Sequence, residues 1–202
     1  MATVSAPQRG GQSRVLRIIG GAWRGRRLRF PAASAIRPTP DRVRETLFNW
    51  LGARIVGARC LDLFAGSGAL GLEALSRGAA HVHFVERHTP AARELQRRLA
   101  EWQVVNAQVT RSDALRFLAA STERFDVAFL DPPFDSHELL EQAAERLERC
   151  ERLTPHALIY VECPAREALP ALPPAWRPLK AKRAGEVGYH LLGRLTESGY
   201  PP

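Results

Sequence analysis

From residue 60 onward, short apolar runs alternate with stretches whose apolar residues recur at helical spacing. Residues 60–64, 82–86, 104–110, 125–131 and 157–162 read as strands, and 69–77, 91–102, 114–119 and 138–149 as the helices between them. Strands separated by helices predict right-handed crossovers and a parallel sheet covered on both faces. The tail has a different rhythm. Residues 176–182 and 189–195 flank Arg183-Ala184-Gly185-Glu186-Val187-Gly188, which predicts a closing antiparallel pair with Gly185 and Gly188 serving turn geometry. Pro170, Pro173 and Pro174 mark the loop before it. The expected fold is α/β: a mostly parallel seven-stranded sheet, helices on both faces, with a small hairpin and helix added at the N-terminus.

That N-terminal addition has its own pattern. Residues 15–19 and 26–30 are short strand-like runs flanking Gly20-Gly21-Ala22-Trp23-Arg24-Gly25, a hairpin signal. After them, Thr39 as N-cap, Pro40 at the first helical position and Asp41 in the first turn predict a helix start. Val43, Leu47 and Trp50/Leu51 then line an apolar face, with Arg42 and Arg44 flanking Val43 outside it. The expected division is a tail at 1–14, a basic hairpin and helix at 15–52, and the α/β domain at 53–197.

Composition narrows the class. The 202 residues are 45% hydrophobic and 25% charged, ordinary for a globular domain able to bury its own core. No apolar run approaches the ~18 residues of a membrane helix, and the first thirteen residues lack the apolar stretch of a secretory signal. Cys60, Cys150 and Cys163 are scattered with no CxxC pair, which argues against a disulfide framework or structural zinc and fits a reducing compartment. A cytoplasmic monomer with no membrane partner is expected.

Charge sharpens the picture further. Of the net +8, residues 1–59 carry +10, with 12 arginines against Asp41 and Glu45, while residues 60–202 carry −2. Arg24, Arg26, Arg27 and Arg29 lie in the predicted hairpin and Arg42 and Arg44 in the helix, so a patterned element carries the excess. Such clustering is the footprint of a polyanion-binding surface, RNA being the expected partner.

In an open α/β sheet, ligands bind at the carboxyl ends of the strands. Here those ends carry Asp62, Glu86, Asp113 and Asp131, four acids on one rim. Gly66-Ser67-Gly68-Ala69-Leu70-Gly71 follows the first strand as a GxGxxG turn, with Glu86 twenty residues past Gly66, as in dinucleotide-binding folds. Asp62 discriminates between cofactors. A carboxylate four residues before the glycine turn disfavours a pyrophosphate but suits a ligand with a cationic amine. S-adenosylmethionine has that amine, a sulfonium, a ribose diol for Glu86 and an adenine amine within reach of Asp113, and it has no phosphate.

Asp131-Pro132-Pro133-Phe134 ends the apolar run 125–130. Proline biases Asp131 away from helical angles, and two prolines leave no N–H to compete for carbonyl acceptors. The Asp131 carboxylate and Pro132 carbonyl then form a stiff acceptor pair for an exocyclic –NH₂, with Phe134 as a stacking face for the base. Holding nitrogen, methyl carbon and sulfur in line is worth up to about 7–11 kcal/mol in well-oriented systems. No metal is needed for this chemistry. His81 and His83 share a strand face but lack a third ligand nearby in sequence, so ordinary structural histidines are expected. Tyr160-Val161-Glu162 ends a strand near the rim, where a core role is at least as well supported.

Residues 61–78 (LDLFAGSGALGLEALSRG), the DPPF motif, residues 37–51 (RPTPDRVRETLFNWL) and residues 17–28 (RIIGGAWRGRRL) together resemble the bacterial RsmD family of small-subunit rRNA guanine-N2 methyltransferases. The likeness spans roughly residues 15–195. It implies a class I methyltransferase fold, S-adenosylmethionine as donor, and a guanine of 16S rRNA, within a small-subunit assembly particle, as substrate. It also implies cofactor contacts from Asp62, Phe64, Ala65, Gly66, Ser67 and Gly68 on the methionine side. Glu86 and Arg87 would serve the ribose, with Asp113 and Ala114 on the adenine side, while Asp131, Pro132, Pro133 and Phe134 would hold the target amine. Two positions depart from the pattern. His88 stands where a second acid often follows the ribose-binding one, and Asp113 occupies a variable position. Alternatives that share strand-end motifs are amino-methylation of DNA or of a protein glutamine, and a non-catalytic RNA-binding assembly factor. A nicotinamide oxidoreductase is disfavoured by Asp62.

Overall fold

The computed structural model describes residues 14–30, 39–133 and 137–195. Two antiparallel strands, β1 (Arg14–Arg17) and β2 (Arg27–Phe30), pair from Arg14↔Phe30 to Arg17↔Arg27 and form the expected hairpin. Helix α1 (Asp41–Leu51) follows, one residue later than its start signals predict. Pro40 is the N-cap, its carbonyl accepting the Val43 and Arg44 N–H groups. The Thr39 side chain does not cap this helix, because its hydroxyl is committed to Asp131.

The α/β region then alternates β3 (Arg59–Asp62), α2 (Ala69–Ser76), β4 (His81–Glu86), α3 (Thr89–Glu101), β5 (Ala107–Arg111), α4 (Ala114–Ala120), β6 (Phe125–Leu130), α5 (His137–Arg149) and β7 (Leu153–Pro164). It closes with β8 (Trp176–Ala184) and β9 (Val187–Arg194). The seven strands are ordered β5-β4-β3-β6-β7-β9-β8. The first five pair in parallel, whereas β9 is antiparallel to both β7 and β8. This is the mostly parallel seven-stranded sheet expected, with the closing hairpin folded back so that its second strand sits inside. The sheet is that of class I methyltransferases.

The strand order reverses at β3. From it the chain builds outward to β4 and β5, then returns to lay β6 on the other side. Such a switch point opens a crevice at the strands' carboxyl ends. Asp62 ends β3 and Asp131 directly follows β6, so both fall at this crevice.

Side chains alternate across the sheet, so each strand feeds two cores. On one face Val82, Phe84, Val127, Phe129, Tyr160 and Leu191 pack with α1, α2 and α3; on the other Leu61, Val85, Ala128, Leu130, Ile159 and Val161 pack with α4 and α5. Leu16, Ile18 and Leu28 of the hairpin belong to the first of these cores, so the N-terminal addition is packed onto the sheet's helical layer.

A buried carboxylate fastens that packing. Glu73 on α2 accepts the Ile19 and Gly20 N–H groups at 2.9 and 2.8 Å, Arg44 Nη1 at 3.2 Å and Arg77 Nε at 2.8 Å. Ser76, one turn on, accepts the Trp23 N–H and donates to the Gly20 carbonyl. The approach is so close that a Cβ on Gly21 would lie 1.8 Å from the Ser76 carbonyl oxygen. Glycine there is steric necessity, and its φ of +75° adds a second reason.

Arg44 corrects the sequence reading. Expected as a solvated RNA-facing arginine, it is fully buried. Besides Glu73 it bonds Asp41 at 2.6 Å, the Arg17 carbonyl at 2.8 Å and the Thr39 carbonyl at 3.2 Å. A guanidinium this fully engaged is a structural fastener and is not available to a phosphate. Periodicity alone left it off the apolar face; the buried Glu73, 29 residues away, draws it inside.

Candidate active site

The glycine turn after β3 is built by local geometry. Gly66 and Gly68 have φ of +51° and +75°, the left-handed region that favours glycine. A Cβ on Gly68 would also stand 2.7 Å from Leu95 Cδ1 on α3. Gly71, one turn into α2, packs directly on β4, where a Cβ would meet the Phe84 ring at 2.2 Å. The three glycines thus serve a tight turn, its continuation, and close helix–strand contact. Phe64 is half-buried, while Ala65 and Ser67 are buried beside them.

Two acids hold this turn through backbone amides. Asp62, nearly buried, accepts the Gly71 N–H through Oδ2 at 3.0 Å. Burial pushes its carboxyl up to about 7, with the Gly71 bond opposing and the charges of Asp131 and Glu86 adding. Glu86 accepts the Gly66 N–H through Oε2 at 2.8 Å and the His88 N–H through Oε1 at 2.6 Å. Each oxygen keeps further acceptor capacity for a hydroxyl. Arg87 is exposed, and its Nε bonds the neighbouring His88. Asp113 is the N-cap of α4, accepting the Leu115 and Arg116 N–H groups through Oδ1. Ala114 is buried behind it. The four acids follow the sheet order, Asp113, Glu86, Asp62, Asp131, along one rim.

Asp131 is held differently. Its Oδ2 accepts the Thr39 hydroxyl at 3.2 Å, reaching across 92 residues of sequence. It is partly open at the rim, yet burial of its carboxyl raises it to about 6, the Thr39 bond pulling the other way. Pro132 is buried and Pro133 exposed. Phe134, the expected stacking face, lies outside the described residues, as do Arg37 and Pro38 of the preceding helix motif.

Sequence reasoning missed the partners of Asp131. Glu162, at the end of β7, is buried beside it and hydrogen-bonded to Thr39, and its carboxyl is pushed well above the usual range by burial and then by the Asp131 charge. Tyr160 donates its hydroxyl to Glu162 Oε1 at 2.8 Å. The available signal was the position of Glu162 at a strand end on the acidic rim. The signal for Thr39 was misread as a helix cap.

The basic face divides. Arg24, Arg26, Arg27 and Arg42 are exposed. Arg26 lies over the Trp102 ring at 4.9 Å, and Trp102 meets Trp23 edge-on at 5.1 Å. The backbone of Arg29 pairs with Val15, and its side chain lies outside the described residues. At the opposite end of the sheet, His81 and His83 do have a third side chain nearby, Glu123. His83 engages Glu123 through Nδ1 at 2.7 Å and Thr110 through Nε2 at 2.8 Å, and Glu123 also pairs with Arg59.

A switch-point crevice lined by carboxylates, entered by a glycine turn and flanked by an Asp-Pro-Pro strand end, defines a class I methyltransferase. The family profile described as "Conserved hypothetical protein 95" matches residues 16–193, and the chain belongs to that family. It is 48% identical over 182 residues to Ribosomal RNA small subunit methyltransferase D of Escherichia coli strain K12, covering 90% of this chain and 91% of that one. To the protein of the same name from Haemophilus influenzae it is 46% identical over 180 residues, covering 87% and 92%. The solved structure of yhhF from Escherichia coli, a protein named as a methyltransferase, superposes with a TM-score of 0.83 at 47% identity. That match covers 91% of this chain and all of the other.

Proposed function

We propose that this protein transfers a methyl group from S-adenosylmethionine to the exocyclic N2 amine of a guanine in 16S rRNA. The observation that carries the reading is the Asp131 carboxyl group, stiffened by Pro132 and Pro133 and set at the switch point beside Asp62. The family's named relatives act on small-subunit rRNA, which supports the choice of substrate class.

The donor set at the crevice fits the cofactor. Asp62 and Glu86 are acceptors, suited to an amine and a ribose diol, and the rim has no arrangement of N–H groups waiting for phosphate. When bound, S-adenosylmethionine supplies a methyl group on a positively charged sulfur. Asp62 would hold the amine, Gly66 to Gly68 would pass beneath the methionine, and Glu86 would take the ribose hydroxyls. Asp113 and Ala114 would border the adenine.

The Asp131 carboxylate and the Pro132 carbonyl accept the two N–H groups of the target amine. Both bonds favour a pyramidal nitrogen whose lone pair is free of the ring and aimed at the methyl carbon. The nitrogen must shed one proton once the new bond forms. Asp131, with its carboxyl raised to about 6, is suited to receive it. Meanwhile Arg24, Arg26, Arg27, Arg29 and Arg42 would grip phosphates, positioning the RNA without reading its sequence. A loop guanine costs less to extrude than a paired one.

The test is mass mapping of modified nucleotides after reaction of the protein with undermethylated small subunits and isotopically labelled donor. One methylated guanine in 16S rRNA, labelled at N2, is the expected product. Label on DNA, on protein glutamine, or nowhere overturns the reading.

A further inference from the structure

The reaction scheme gives Asp131 its task but leaves unused two buried polar groups packed against it, Glu162 and Thr39. The geometry of this cluster fixes the direction of its hydrogen bonds. Thr39 Oγ1 donates to Asp131 Oδ2 at 3.2 Å. A hydroxyl has one proton to give, so the bond between Thr39 and Glu162 must run the other way, from a carboxyl proton on Glu162 to the threonine oxygen. Tyr160 Oη already donates to Glu162 Oε1 at 2.8 Å, which leaves the second Glu162 oxygen to carry that proton. All three side chains are enclosed: Thr39 is 5%, Glu162 4% and Tyr160 0% exposed.

We propose that Glu162 is a positioning residue that works through Thr39, its carboxyl proton fixing the hydroxyl that fixes one oxygen of Asp131, so that the other oxygen meets the substrate amine in a single orientation. The proposal rests on reading Asp131 as the amine-binding carboxylate. It also answers an electrostatic difficulty. Two carboxylates in one buried cluster cannot both ionise cheaply, and the more open one keeps its charge. The groups that act on Glu162 are Asp131 from the end of β6, Tyr160 on its own strand and Thr39 ahead of α1. Tyr189, opposite Glu162 in the β9 ladder, acts on Tyr160, and Glu162 itself acts on Cys163. No cation is among the groups acting on Glu162, and burial accordingly holds it protonated far above the usual range. Asp131, lower at about 6, is the member that ionises.

The arrangement makes a prediction that a merely structural role would not. Glutamine at position 162 can still donate to Thr39 and accept from Tyr160, whereas alanine can do neither. Glu162→Ala and Thr39→Val should each lower kcat about tenfold while leaving donor affinity within twofold, and Glu162→Gln should recover most of that loss. In the wild type, kcat should fall again at high pH as Glu162 loses its proton; in Glu162→Gln that alkaline limb should vanish. Carboxyl carbon NMR on the full-length protein, with signals assigned through Glu162→Gln and Asp131→Asn, reads the same chain without substrate. Glu162 should report a neutral carboxyl at pH 7, and the Asp131 midpoint should rise in Thr39→Val but stay in place in Glu162→Gln. An ionised Glu162 at pH 7, or an Asp131 midpoint indifferent to Thr39→Val, overturns the proposal even if every variant folds. Should wild-type protein methylate no amine at all, the assignment of Asp131 to substrate falls by the kinetic arm, and the NMR arm still decides whether the proton chain exists.

Discussion

On the β3–β4 side of the rim, Asp62 and Glu86 are held by backbone amides, those of Gly71, Gly66 and His88. On the β6–β7 side, Asp131 and Glu162 are held by hydroxyls, those of Thr39 and Tyr160. Amides 2 to 20 residues away belong to the same strand–turn–helix unit, so the cofactor half of the crevice is nearly complete once that unit folds. The substrate half needs a residue 92 positions distant from Asp131. One half is a local structure, and the other is made only by tertiary assembly.

Arg44 joins the two. Its guanidinium bonds Glu73 on α2, behind the glycine turn, and the carbonyl of Thr39, beside Asp131. Arg44→Met should therefore have the largest effect on stability. Removing one member of a buried ion pair typically costs about 3–5 kcal/mol, and urea unfolding would measure it. A loss below about 1 kcal/mol, the level of an exposed pair, would mean the halves are not fastened through this residue.

Asp131→Ala separates the halves by function. The rate of methyl transfer should fall about 10²–10³-fold, the range seen when one group that stabilises a transition state is removed. Donor affinity by calorimetry should stay within threefold, because the amide-held acids are untouched. A parallel loss of both quantities would show that the two sides act as one site.

The same contrast explains what could be read from the sequence. The parallel sheet, its reversed final hairpin and the rim acids follow from periodicity and strand-end chemistry, which are local signals. The N-terminal hairpin was equally legible from two apolar runs around glycines. Thr39, Arg44 and Glu162 were not. Threonine before Pro-Asp carries every mark of a helix cap, and an arginine beside Val43 looks solvated until Glu73 is brought against it. In each case a partner from a distant segment outweighs the local preference.

A pH titration sharpens the cofactor side. The Asp62 carboxyl is raised to about 7, above its unfolded value of about 4. The folded protein therefore binds the proton more tightly. Taken alone, this group stabilises the fold fully below about pH 4, and the contribution is lost as pH rises through about 7. Binding a cationic amine has the opposite preference, since it selects the ionised form. Donor affinity should strengthen as pH rises from 6 to 7, by up to about tenfold per unit where one proton is released. Calorimetry in buffers of different ionisation heat would count that proton. In Asp62→Asn the affinity should be weak and flat with pH; a slope that survives in this variant would assign the proton to another group.

The smallest expected effect lies outside both halves and shows where they end. Arg24 and Arg27 are exposed on the hairpin, in contrast to Arg44, which carries the same charge with no exposure. Neutralising either one, as Arg24→Gln or Arg27→Gln, should weaken binding to 16S rRNA almost uniformly across sequences. It should also lower the slope of log affinity against log salt by about one, the signature of a single lost phosphate contact. Stability and donor affinity should not change, because neither side chain touches the core or the rim. If the salt slope is the same in the variant, these arginines are ordinary solvated charges. The RNA track would then have to run over Arg42 on α1, the exposed arginine next in the chain to Asp41, which pairs with Arg44.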